Sequence, residues 1–221
     1  MSGAARRDRR LRFDGWIAGA GTASGTRLVV GYWPRSPWGP FADVMVEATD
    51  GRRELLAPTA QVADFVAGTY SFDTVTHCPV TVEPGPAAWR VSAGPLRLRL
   101  TTGRRDPLGH LLRAVPRRVA AAPAWAAVCD LPARLLMPGV RTRGSAGGGR
   151  REWYAALDHR PLTAVDATWD GADLGALRPV DPPVRFGFGS VPRGPSLTRV
   201  VSTVELPAAD LARTQNLNRS T

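Results

Sequence analysis

The segment Arg35-Ser36-Pro37-Trp38-Gly39-Pro40-Phe41-Ala42-Asp43-Val44-Met45-Val46-Glu47 joins two kinds of backbone instruction. Its first half is turn chemistry: two prolines fix φ and the glycine between them frees it, so the chain turns rigidly. Its second half is strand chemistry. Alternation over Asp43–Thr49 sets Val44, Val46 and Ala48 on one face and Asp43, Met45 and Glu47 on the other. A rigid Pro/Gly turn therefore feeds an acid onto the start of a strand, and one strand face carries two carboxylates.

Outward from this segment the pattern stays strand-rich from Arg12 to Thr102, with short runs at Arg27–Tyr32, Val75–Val82, Trp89–Ser92 and Leu96–Thr101 between Gly, Pro and Asp-Gly breaks. Leu96, Leu98 and Leu100 alternate with Arg97 and Arg99, the signature of a half-buried strand. One helix interrupts the section near 59–68, with Thr59 as N-cap and Val62, Phe65 and Val66 at helical spacing before Gly68. A second helical region opens at Asp106-Pro107 and carries Leu108, Leu111, Leu112 and Val115, after which Pro116, Pro123 and Pro132 cut it into short pieces. Strands return at Gly139–Gly144, Arg151–Asp158, Leu162–Trp169 and Thr198–Leu206, the first two joined by the flexible Ser145-Ala146-Gly147-Gly148-Gly149 hairpin loop. The expected fold is α+β and mainly β: a single curved or barrel-like antiparallel sheet, with a helix near 59–68 and a helical cover at 106–137. One β-rich domain should span 12–206, with a disordered basic tail at 1–11 and a flexible tail at 207–221.

Composition narrows the chemistry. All 29 Lys+Arg residues of the 221 are Arg, so no side-chain amine is present to form a Schiff base. The net charge of +10 attracts polyanions at long range, but the Arg pairs are scattered and no nucleic-acid-reading motif accompanies them, which argues against a specific nucleic-acid partner. The Arg-rich apolar stripe of Asp106–Met137 admits a weak contact with an anionic membrane, and homo-oligomeric assembly stays open. The two cysteines, Cys78 and Cys129, form no disulfide framework and no zinc-ligand cluster, so no metal is expected and a reducing, cytoplasmic setting is the natural reading. No run of about 20 apolar residues is present to span a bilayer.

Three patches resemble the acetoacetate decarboxylase-like family. Ser36-Pro37-Trp38-Gly39-Pro40-Phe41-Ala42-Asp43 is similar to that family's Ser-Pro-x-Gly-Pro-aromatic-x-acid segment, whose acid points into the cavity of a curved barrel. Gly68-Thr69-Tyr70-Ser71-Phe72-Asp73-Thr74 follows a helix where the family has an aromatic-Gly-aromatic-Pro-Lys-Lys run, with Asp73 and Thr74 in place of the lysines. Trp169-Asp170-Gly171 through Leu174, Pro179 and Asp181-Pro182 resembles the family's late Trp-x-Gly-x-x-x-Leu, Pro and Asp-Pro passage. The likeness spans 26–206 loosely and has no counterpart for 103–138. It implies a barrel with a buried cavity; without the lysine it does not imply imine decarboxylation.

The candidate catalytic groups are Asp43, Glu47 and Glu152, because two carboxyls in a dry pocket take different pKa values and supply an acid and a base. Arg35, Trp38, Phe41, Tyr70, Phe72, Phe186 and Phe188 are the candidate ligand-binding residues; in Arg185-Phe186-Gly187-Phe188-Gly189 the glycines permit close approach and the rings supply an apolar wall. Asp158 and His159 are neighbours on a predicted strand, so their side chains diverge, and Arg160-Pro161 reads as a surface turn. The expected function is binding or processing of a small organic acid or other carbonyl compound without imine chemistry and with no cofactor. Two alternatives stand beside it: an Arg-rich protein docking on a membrane or an acidic partner, and a lipocalin-like carrier of apolar ligands, which would have an up-and-down strand order and no helix at 59–68.

Overall fold

β-branched and leucine-rich alternation sets the strands, and glycine decides how closely they lie. The computed structural model describes residues 10–116, 143–145, 147–187 and 191–207. Along them run β1 (Arg10–Thr22), β2 (Arg27–Arg35), β3 (Phe41–Glu47), β4 (Arg53–Ala57), α1 (Ala60–Ala67), β5 (Thr74–His77), β6 (Val80–Glu83), β7 (Ala88–Ala93) and β8 (Leu96–Thr102). They continue through α2 (Pro107–Ala114), β9 (Arg143–Ser145), β10 (Arg151–Trp169), β11 (Ala172–Asp173), β12 (Leu177–Arg178) and β13 (Ser196–Glu205).

One sheet holds all the described strands, with the path β5-β4-β3-β2-β1-β13-β10-β8-β7-β6; β9 and β11 pair with β10, and β12 pairs with β1. Every pairing is antiparallel except β4 with β5, which is parallel. The path ends at β5 on one side and β6 on the other, so the sheet is mixed and is not closed into a barrel. It is nevertheless strongly curved. Leu28, Val30 and Val44 of β2 and β3 share a core with Trp89, Val91, Leu98 and Leu100 of β7 and β8, strands several places away in the same sheet. Only a sheet that rolls over one of its faces brings those residues together.

The opposite face carries the second core. Ile17, Val29, Met45 and Leu55 from β1–β4 meet Val62 and Val66 of α1 and the loop residues Val180 and Phe186. β3 is therefore covered on both sides, with Val44 and Val46 in the first core and Met45 in the second, along the alternation its sequence carries.

Several expectations change. Val75–Val82 is not one strand: it breaks at Cys78-Pro79, and its halves, β5 and β6, lie at opposite ends of the sheet path. Proline has no N–H for a central ladder, which explains the break. Arg151–Asp158 and Leu162–Trp169 are one strand, β10, and Arg160-Pro161 lies within it rather than in a surface turn. Register shifts at Ala156/Asp158 and Leu162/Ala164 let that strand bend from β13 onto β8. β1 starts at Arg10, paired with Glu205, and fills the middle of the sheet. Its glycines serve close packing: a Cβ on Gly19 would come 2.8 Å from the Val191 side chain, and Gly15 and Gly21 lie against the backbone carbonyls of Tyr32 and Pro179. Of the expected helical cover, α2 is seen at Pro107–Ala114, and 117–137 lies outside the described residues.

Candidate functional site

The interior site is built where α1 crosses the second core. The Thr59 hydroxyl accepts from the Val62 N–H at 3.2 Å and fixes the start of α1, whose Val62, Ala63 and Val66 are buried. The chain leaving α1 carries Thr69 and Tyr70 inward, with the Thr69 hydroxyl donating to the Phe65 carbonyl at 2.8 Å. Arg150 locks this end: its guanidinium lies 5.1 Å from the Phe65 ring centre and donates at 2.7 Å to both the Phe65 carbonyl and the Thr69 hydroxyl.

Beneath α1 lies a cavity of about 40 Å3. Phe13, Ile17, Val29, Met45, Val66 and Val204 give it apolar walls, with Phe41 and Phe65 beside them. Its polar lining consists of Trp33, Asp43, Thr69, Tyr70, Glu152, Tyr154 and Ser202. The volume suits a ligand of a few heavy atoms, since one water occupies roughly 10–15 Å3 on the same measure.

Asp43 is 1% exposed and faces this cavity from β3. The Trp33 indole N–H donates to its Oδ1 at 3.0 Å. Burial pushes the carboxyl up to about 7, and the indole bond offsets only part of that. Gly31, directly across the ladder from Asp43, leaves the space both side chains use: a Cβ there would come 2.5 Å from Asp43 Oδ1 and 2.6 Å from Trp33 Nε1.

Glu152 is 3% exposed and reaches the cavity from β10. Tyr70 Oη donates to its Oε2 at 2.8 Å, and Ser202 Oγ donates to its Oε1 at 2.9 Å. Tyr154 follows two residues later on the same strand face and hydrogen-bonds the Tyr70 hydroxyl. Burial raises the Glu152 carboxyl above its usual range, against the pull of the three hydroxyls of Tyr154, Tyr70 and Ser202. Burial, reinforced by the Glu152 charge, pushes both tyrosines well above the ordinary phenol value, so they stay neutral donors.

The structure thus brings Asp43, Glu152, Phe41 and Tyr70 together and sets the other sequence candidates elsewhere. Glu47 shares the Asp43 face of β3 but does not line the cavity: it is fully buried against Arg27 (3.2 Å) and Arg185, which binds it through Nε at 2.8 Å and backbone N–H at 2.7 Å. It fastens the Arg185 loop to the sheet. Arg35 is largely exposed and pairs with Asp14 at 3.0 Å. Trp38 packs behind the wall, 4.8 Å from the Phe65 ring and 6.2 Å from that of Phe41. Phe72 and Phe186 stack 5.5 Å apart in the second core without lining the cavity. Phe188 lies outside the described residues. Asp158 and His159 are also away from the site: Asp158 takes two bonds from Arg105 at 2.7 and 2.8 Å, and His159 Nδ1 lies 2.9 Å from Asp106. Sequence reasoning missed Gly31, Trp33, Thr69, Tyr154 and Ser202. Tyr154 alone had a readable signal, its place two residues beyond Glu152.

Among the described residues no three His, Cys, Asp or Glu side chains converge as a metal-ligand set. The sequence matches no family model and no curated protein. Solved structures similar to this chain include an acetoacetate decarboxylase from Legionella pneumophila, with a TM-score of 0.41 and 8% identity over 93% of this chain and 94% of that one. A second acetoacetate decarboxylase structure is similar at a TM-score of 0.37 and 9% identity, over 89% of this chain and 84% of that one. At such scores and identities the chemistry of the site is read from this chain's own residues: an open mixed sheet with a buried acidic cavity.

Proposed function

We propose that the chain binds and processes a small, uncharged carbonyl compound in the Asp43–Glu152 cavity, without imine chemistry. The observation that carries this is a count of hydrogen-bond donors. Trp33 gives its N–H to Asp43, Thr69 its hydroxyl to Phe65, and Tyr70 and Ser202 theirs to Glu152. Tyr154 acts on Tyr70 and Glu152. The donor left for a ligand by the described lining is the proton of Asp43, which suits an acceptor such as a carbonyl oxygen.

An organic acid, the other ligand expected from the sequence, fits less well. No guanidinium lines the described cavity wall, and an anion beside two buried carboxyls would be repelled. The lipocalin-like alternative required an up-and-down strand order without a helix at 59–68, whereas α1 is present and β13 lies between β1 and β10. No helix among the described residues is long and apolar enough to cross a membrane; most of the Arg-rich segment named for membrane docking lies outside them. We keep a reducing compartment as part of the proposal, since Cys78 makes no disulfide among the described residues.

Titrating 15N-labelled protein with acetone, and in parallel with propionate, tests this reading through the Trp33 indole resonance. The ketone should shift that resonance and propionate should not, and Asp43→Val should abolish the response. A silent Trp33, or propionate acting as strongly as the ketone, would remove the carbonyl site.

A further inference from the structure

We infer that the cavity catalyses keto–enol interconversion of its ligand, with Glu152 taking the proton from the carbon next to the carbonyl and Asp43 giving its own proton to the carbonyl oxygen. This rests on the carbonyl-binding reading and adds a reaction to it.

The geometry assigns opposite roles to two carboxyls of one cavity. Glu152 has a hydroxyl donor on each oxygen, Tyr70 on Oε2 and Ser202 on Oε1, with Tyr154 in the same network. Donors aimed at a carboxyl stabilise its charged form, and with one bond on each oxygen a second lone pair stays free to receive a proton, so Glu152 is the base. Asp43 has a single donor, the Trp33 indole on Oδ1, and apolar walls around it that outweigh that bond and favour the protonated form, so Asp43 is the acid. Each group is fixed from a different strand, β10 and β3, so a small ligand beneath α1 lies between them.

The step balances without any further reactant. The Cα–H bond breaks and its proton goes to the Glu152 carboxylate; that electron pair becomes the carbon–carbon double bond. The carbonyl π pair moves to oxygen, which takes the Asp43 proton, leaving Asp43 as carboxylate and Glu152 as carboxyl. Total charge in the cavity is unchanged, which matters where burial makes a net charge costly. Reversal restores both groups, and any exchange of the carboxyl protons with solvent in between labels the ligand carbon.

The same proton placement gives a pH profile. The ionisable groups facing Asp43 across the cavity are Tyr70, Glu152 and Tyr154, and its own strand face carries Glu47, already neutralised by Arg27 and Arg185. Burial sets Asp43 near 7, and both tyrosines stay neutral far above that. Turnover should therefore fall as pH rises through about 7, where Asp43 loses its proton.

Incubating the full chain with acetone in D2O and following loss of the α-proton signal by 1H NMR tests the inference. The wild type should exchange faster than buffer, and Asp43→Asn should still bind the ketone, because its amide can donate to the carbonyl, while exchange drops by about 100-fold or more. Glu152→Gln should behave likewise. Ketone binding at Trp33 with exchange no faster than buffer, or unchanged exchange in Asp43→Asn, overturns the inference and leaves the binding reading standing. Absence of both binding and exchange overturns both.

Discussion

At the scale of single residues, Asp43 shows how burial turns a common side chain into a titrating group near neutrality. The folded chain holds the Asp43 proton at pH values where the unfolded chain has released it, because burial moves the carboxyl from 3.8 to about 7. This group therefore favours folding most at low pH, and its contribution declines as pH rises from 3.8 towards about 7. A shift of that size is worth on the order of 4 kcal/mol across the window. Denaturant unfolding at pH 4 and pH 8 should give Asp43→Asn a flatter pH dependence than the wild type; parallel curves would show that Asp43 does not carry the shift. Gly31 is the other decisive residue. Gly31→Ala should drive Trp33 off Asp43, since the new Cβ would be only 2.5 Å from Oδ1, and the Trp33 indole signal should then lose its response to acetone. The sequence displayed Asp43 through its rigid turn and alternation. It did not display Gly31 or Trp33, because what makes them partners is the β2–β3 register, a long-range outcome that local patterns do not encode.

At the scale of elements, α1 and the Arg185 loop close the second core from outside. Thr59 was legible as the cap of α1, and Thr59→Ala should lower stability by about 1 kcal/mol, measured by denaturant unfolding. Glu47 was read as a candidate catalytic carboxyl because it shares a strand face with Asp43. Its partners, Arg27 twenty residues before it and Arg185 far along the chain, become neighbours only in the fold. Glu47→Gln leaves Arg27 buried without its counter-charge and should cost about 3–5 kcal/mol. The same variant should keep the ketone-induced shift of Trp33 under native conditions, because Glu47 does not line the cavity; loss of that shift in a folded variant would place Glu47 in the site after all. β1 and β10 were the elements least visible in advance. Glycines in β1 look like punctuation but permit close packing, and Arg160-Pro161 in β10 looks like a turn but sits in a strand that bends by register shifts.

At the scale of the whole molecule, one rolled sheet is packed on both faces, and only the face beneath α1 holds the acid pair. The strand-rich pattern showed the mainly β class and its curvature, while the open edges at β5 and β6 and the parallel β4–β5 pairing were beyond it: both edge strands come from one run broken at Cys78-Pro79. Separation of the cores makes stability and chemistry separable too. Leu100→Ala, in the first core, should cost about 2–5 kcal/mol and leave the Trp33–Asp43 pair unaltered. The account depends most on an aspartate inside that cavity that keeps its proton until the pH nears 7, and the direct measurement is the pH titration of the Trp33 indole 15N–1H resonance. It should show a transition near 7 in the wild type that disappears in Asp43→Asn; a transition in the ordinary carboxylate range near 4, or one that survives in Asp43→Asn, would contradict it.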